Sequence, residues 1–137
     1  MPSLLIPITF NKIMQSRSYT VIILGTDKKK FAIYTDPQVG RDIQTYLTLG
    51  RKPRPSTHDL VFSIMKGYEI TPIKVVIHDV EDTIYFARLF LEMSTNGKKT
   101  ILEIDSRPSD CISLAIIHNI PVLCRKEVLE KSVPVPD

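Results

Sequence analysis

The stretch TILEIDSRPSDCISLAIIH, residues 100–118, carries most of the reading of this fold. Ile101, Leu102 and Ile104 give its first part the apolar, β-branched pattern of a strand over 100–105. Arg107-Pro108 then breaks the strand. Pro108 suits a first helical turn, because its φ is helical and its missing N–H has no intrahelical partner there. Cys111, Ile112, Leu114, Ala115, Ile116 and Ile117 make the helix over 108–118 apolar on most faces, so burial on more than one side is expected. His118-Asn119 is a natural stop, since Asn tolerates the left-handed conformation and His favours the negative end of the helix dipole.

The same corner occurs once more, as RPSTHD over 54–59. Each corner sets a fixed positive charge, a proline and a carboxylate at a helix start. The outward N–H groups of a first turn attract anions, and a neighbouring guanidinium adds a planar fork suited to phosphate or carboxylate.

Strand patterns dominate outward from these corners, over 4–14, 19–24, 31–34, 73–80, 83–93, 100–105 and 121–124. Asn96-Gly97 is a strong hairpin signal, and Glu81-Asp82 marks another turn. Asp36-Pro37 opens a helix with Val39, Ile43, Tyr46 and Leu47 on one face and Gly50 as its stop. A second helix is expected over 56–66, with a Ser56–Asp59 capping box and a core stripe of Leu60, Val61, Ile64 and Met65. A short helix over 126–131 precedes a frayed tail. Strand runs grouped before helices predict an α+β domain with a mixed, mostly antiparallel sheet and three to four helices. The expected unit is one domain over 1–137, with its core over about 6–131 and a flexible tail over 132–137.

The 137 residues carry 18 Lys and Arg against 15 Asp and Glu, a net charge of +3. That permits nucleic-acid binding without announcing it. Cys111 and Cys124 lack metal-ligand spacing and read as buried free thiols of a reducing compartment. No apolar run reaches membrane length, and a cytoplasmic protein is expected. His78-Asp79 reads as a solvated strand end, and Lys28-Lys29-Lys30 and Lys98-Lys99 as solvated hairpin turns. The sequence has no Gly-rich phosphate loop, no zinc spacing and no nucleophile elbow.

The chemically richest set is Arg54, Thr57, His58, Asp59, Asp105, Arg107 and Asp110. Taken singly, each has a structural role to play: helix cap, dipole partner or ion pair. Taken together, carboxylates and a His can bind a divalent ion or relay a proton, and Arg can stabilise charge on a phosphoryl oxygen.

The phrases RPSTHDL, at 54–60, and IDSRPSDCI, at 104–112, resemble those of the bifunctional nuclease domain family, Arg-Pro-x-Thr-His-Asp-Leu and Asp-x-Arg-Pro-Ser-Asp-Ala-Ile. VIHD at 76–79 and YFARL at 85–89 match the intervening strands in order and spacing, and the likeness spans about residues 6–131. The resemblance implies a compact α+β domain that self-associates as a dimer or trimer, and degradation of both DNA and RNA. One position departs from the family: Val39 stands where a Glu is usual, which leaves Asp36 as the nearest carboxylate. Residue chemistry placed on the family's phrases gives a metal-assisted nuclease of little sequence preference. Asp59, Asp105 and Asp110 would hold one Mg²⁺-like ion and His58 would move the proton. Arg54 and Arg107 would clamp the phosphate, with Thr57 and Ser109 beside them. The alternative is a non-catalytic module that binds a nucleotide, nucleic acid or protein partner.

Overall fold

The computed structural model describes residues 4–48 and 55–135. The elements are β1 (Leu5–Gln15), β2 (Thr20–Gly25), β3 (Lys30–Thr35), α1 (Pro37–Leu47), α2 (Thr57–Gly67), β4 (Ile70–Glu81), β5 (Ile84–Thr95), β6 (Lys98–Ser106), α3 (Pro108–His118), β7 (Val122–Arg125) and α4 (Lys126–Lys131). The strands form one seven-stranded sheet in the order β3-β2-β1-β7-β4-β5-β6. Among the described strands only β4 and β7 pair in parallel. The domain is α+β, as expected from the sequence.

β1 joins the two halves of the sheet. Leu5 to Ile8 pair with β7, and Thr9 to Gln15 pair with β2. An irregularity between Phe10 and Lys12 bends the strand between the two partners. Asn96 and Gly97 both take positive φ, so the β5–β6 hairpin closes as the sequence pair demands. Gly40 lets α1 lie close on β2, because a Cβ there would collide with the side chains of Gln15 and Thr20.

α3 is wedged between two core clusters. Ile112 packs with Ile22, Phe31, Ile43 and Ile77, while Cys111, Leu114 and Ala115 pack with Met65, Val75 and Leu89. An all-apolar helix is the consequence of burial on two sides. Both cysteines are buried and free.

Three expectations need correction. The apolar stripe of α2 does not face the core: Leu60 is 58% exposed, and Val61 and Ile64 are exposed too, whereas Met65 is buried. The helix instead turns Phe62 inward, where its ring stacks on His118 at 3.5 Å. In α1, Val39 and Ile43 are buried, but Tyr46 and Leu47 face solvent. The tail is not free as far as Val135, whose N–H donates to the Lys30 carbonyl at 2.9 Å and whose side chain packs on Val21, Ile23 and Ala32. Among the described residues no helix is long and apolar enough to cross a membrane.

Candidate functional site: an arginine-centred cleft at the start of α3

β6 ends at Ser106, and Arg107 is held extended at φ −65°, ψ 138° by the proline that follows. Pro108 then opens α3. This geometry lets Arg107 reach one turn forward to Asp110. Its Nε donates to Asp110 Oδ2 at 2.9 Å and its Nη2 to Asp110 Oδ1 at 3.3 Å. The remaining guanidinium nitrogen is uncommitted to Asp110, and the Arg107 side chain is 69% exposed.

Packing of α2 against α3 brings His58 to the same carboxylate. His58 Nε2 lies 3.0 Å from Asp110 Oδ1. With Asp110 ionised the ring nitrogen must be the donor, so a neutral His58 carries its proton on Nε2. His58 is 13% exposed and Asp110 33%. Burial alone would raise the Asp110 pKa. The hydrogen bonds and charges of Arg107 and His58 outweigh it and hold the carboxyl below its usual value. The hydrogen bond to Asp110, and then its charge, raise the Arg107 pKa in turn.

Arg107 forms part of the wall of an open cleft of about 780 Å³. Asp105 and Ser109 line it from the same corner, Tyr34 and Asp36 from the end of β3, and Tyr85 and Phe86 from β5. Asp105 is exposed, with no hydrogen bond or ion pair to another described residue. Asp36 caps α1 by accepting from the Val39 N–H at 3.1 Å. The floor is apolar and the rim is ionic, the usual make-up of a ligand site.

The residues singled out from sequence therefore fall into separate settings. Asp105, Arg107 and Ser109 share the cleft. His58 and Asp110 sit beside it and reach it through Arg107. Asp59 closes the capping box of α2, its Oδ2 accepting from the Ser56 N–H at 2.8 Å while its own N–H donates to Ser56 Oγ at 3.2 Å. Thr57 is exposed on the first turn of α2. Arg54 lies outside the described residues. The three aspartates do not converge, and among the described residues no group of three or more His, Cys, Asp or Glu is placed to hold a metal ion. Val39 is a core residue, so that position supplies packing rather than a carboxylate.

Tyr34 and Phe86 are not legible as cleft residues, since they come from strands distant in sequence, whereas the Val39 departure already pointed to Asp36. His78 was misread: it is no solvated strand end. Its Nε2 is buried without a hydrogen-bond partner among the described residues, and its ring lies 6.4 Å from that of Phe86. Burial first, then Arg88, pushes its pKa down. The irregular pairing between Ile77 and Asp79 turns this residue inward, a signal that alternation alone does not carry.

An aspartate-held arginine at a helix N-terminus walls the cleft of this α+β domain. The sequence profile described as bifunctional nuclease domain matches residues 21–135, and the chain belongs to that family. It is also similar to two Mycobacterium tuberculosis proteins, uncharacterized protein MT1877 of strain CDC 1551 / Oshkosh and uncharacterized protein Rv1829 of strain ATCC 25618 / H37Rv. Each is 25% identical over 88 residues, covering 62% of this chain and 48% of the relative. The chain thus spans about half the length of the curated relatives it matches.

Proposed function

We propose that this domain binds phosphodiesters of DNA and RNA in the cleft and hydrolyses them. The observation that carries this reading is the hydrogen-bonded line His58–Asp110–Arg107, which brings a guanidinium to the cleft beside Asp105, a carboxylate without an ion-pair partner among the described residues. Arg107 takes the phosphate with its free donors and stabilises charge on a phosphoryl oxygen as it develops. Asp105 is the cleft carboxylate that accepts the proton of an attacking water. Asp110 fixes the fork, and His58 fixes Asp110, so both act as positioning residues. Ser109 and the first turn of α3 lie against the same anion.

A three-aspartate ion site does not fit this arrangement. The donor chemistry fits a smaller one, because Mg²⁺ is commonly bound through one or two carboxylates together with substrate phosphates. Asp36, which also lines the cleft, would hold such an ion together with the substrate phosphate and help neutralise it, leaving Asp105 free as the base. His58 and Asp110 do not themselves line the cleft, which favours one second reading, in which the same cleft binds nucleic acid without cutting it. Nuclease-free preparations assayed on single- and double-stranded DNA and RNA, with and without Mg²⁺ and with a chelator, separate the two. Cleavage lost in Asp105→Asn supports hydrolysis; binding without cleavage supports the module.

Self-association is part of the proposal. β6 is an edge strand of nine residues, paired with β5 in unbroken register, and it exposes Ile101, Leu102 and Ile104. Such an edge is a template for another strand. Run antiparallel to a second copy and centred on Leu102, it sets the exposed Leu102 against its own counterpart. The buried free thiols support a cytoplasmic setting.

A further inference from the structure

The sheet has a second groove that the phosphate cleft does not explain. Strand register puts Lys12, Tyr19, Val21, Ile23, Lys30 and Tyr34 on one face of β1–β2–β3, opposite the Ile22 and Leu24 face that enters the core. There they line an open groove of about 640 Å³ together with Asn11. Its floor is apolar: Val21 and Ile23 are buried there beneath Val135. Its walls are two exposed tyrosines, Tyr19 at 47% and Tyr34 at 59%, with ring centroids 6.0 Å apart in an edge-to-face arrangement.

The charge of the groove is one-signed. Lys12 and Lys30 line it, and no Asp or Glu does among the described residues. Lys30 Nζ donates to the Thr26 carbonyl at 3.2 Å, which fixes its position, while Lys12 stands exposed on β1. Exposed aromatic faces beside two lysines suit flat rings joined by anions. That is the chemistry of an unstacked nucleic-acid strand, whose bases stack on aromatic side chains while its phosphates meet lysine. In a duplex the base faces are already covered, so it would leave the tyrosines unused.

The two depressions meet at one residue. Tyr34 lines both the groove and the phosphate cleft. A strand lying over Tyr19 and Tyr34 would therefore run on past Asp36 toward Arg107 and Asp105. We infer that the outer face of β1–β2–β3 is a stacking platform for single-stranded nucleic acid that leads the strand into the cleft. The platform's link to the cleft rests on the phosphodiester reading above, whereas the platform itself is tested by binding alone.

The experiment uses the full chain and two readouts. Fluorescence anisotropy follows a fluorescein-labelled oligothymidylate of about a dozen nucleotides, a length near the usual single-strand site sizes. Hydrolysis of bis(p-nitrophenyl) phosphate, too small to span the groove, reports the cleft. Tyr19→Ala and Lys12→Glu are both exposed changes, checked for unaltered melting. Each should raise the oligonucleotide Kd about tenfold while leaving hydrolysis of the small diester at the wild-type rate. Tyr34→Phe should retain oligonucleotide affinity, because the ring face is kept, and Tyr34→Ala should lose it. A duplex of the same length should bind more weakly and respond little to Tyr19→Ala. Absence of oligonucleotide binding, or binding indifferent to Tyr19→Ala, Tyr34→Ala and Lys12→Glu, would overturn the platform whatever the small diester shows. Sensitive oligonucleotide binding without any hydrolysis would uphold the platform and remove the catalytic reading instead.

Discussion

Replacing Asp110 by Asn tests the line that holds Arg107 in place. Three donors converge on this carboxylate, Arg107 Nε and Nη2 and His58 Nε2, at 2.9, 3.3 and 3.0 Å. A hydrogen bond to a charged group contributes about 1.5–3 kcal/mol when well formed. The Arg107 side of the cluster contributes less, because that side chain is largely exposed and exposed pairs contribute about 0–1 kcal/mol. His58 is nearly buried, so its bond dominates. Asn keeps the shape and one acceptor oxygen but loses the charge, which gives an expected loss of about 1–3 kcal/mol, discounted for the partial exposure of Asp110. For a domain of this size that is a fall in Tm of about 3–5 °C per kcal/mol. The effect also carries a pH signature. The folded carboxyl is held below its unfolded value, so the stabilisation is complete above the unfolded pKa of about 3.9 and disappears as pH falls through the lower folded value. Urea denaturation of both proteins, at neutral pH and down an acid series, measures this. A neutral-pH difference under about 0.5 kcal/mol, or one that persists undiminished through acid, would refute the reasoning.

Further outcomes follow from the same geometry. Arg107→Lys keeps the charge but loses the fork, so oligonucleotide binding should fall while the melting temperature stays within a few degrees; anisotropy and calorimetry check the two halves. Ile112→Ala, which opens a cavity where α3 meets the first core cluster, should lower unfolding free energy by about 2–5 kcal/mol in chemical denaturation. Leu60→Ser on the exposed face of α2 should change stability by less than about 1 kcal/mol, and Met65→Ala should cost about 2–5 kcal/mol. If β6 edges pair across copies, Leu102→Lys sets two cations against each other and should leave monomers in analytical ultracentrifugation.

Much of this molecule can be read from local chemistry. Asp36-Pro37, Ser56 with Asp59, and Asn119 each act on their own backbone, so the starts of α1 and α2 and the end of α3 follow from residue type. Asn96-Gly97 sets its hairpin in the same way. The face of α2 could not be read. Leu60, Val61 and Ile64 make the more apolar stripe, yet His58, Phe62 and Met65 turn inward, because α3 offers Asp110 and His118 as partners. The candidate site was half legible. Arg107 and Asp110 lie three residues apart and find each other locally. His58 comes from another helix, and Tyr34 and Phe86 reach the cleft through strand order, which no short phrase encodes. Asp59 takes the capping role that its spacing from Ser56 also offered, because a capping carboxylate and an ion-binding carboxylate have the same sequence appearance.

The central claim is that the cleft around Arg107 and Asp105 cuts nucleic acid. The direct measurement is product formation from labelled single-stranded DNA and RNA by wild-type protein and by Asp105→Asn, each purified free of contaminating nuclease. The account predicts cleavage by the wild type and its loss in Asp105→Asn, with oligonucleotide affinity retained in both. Cleavage equal in the two proteins, or absent from the wild type with Mg²⁺, Mn²⁺ and Ca²⁺ each supplied, would contradict it.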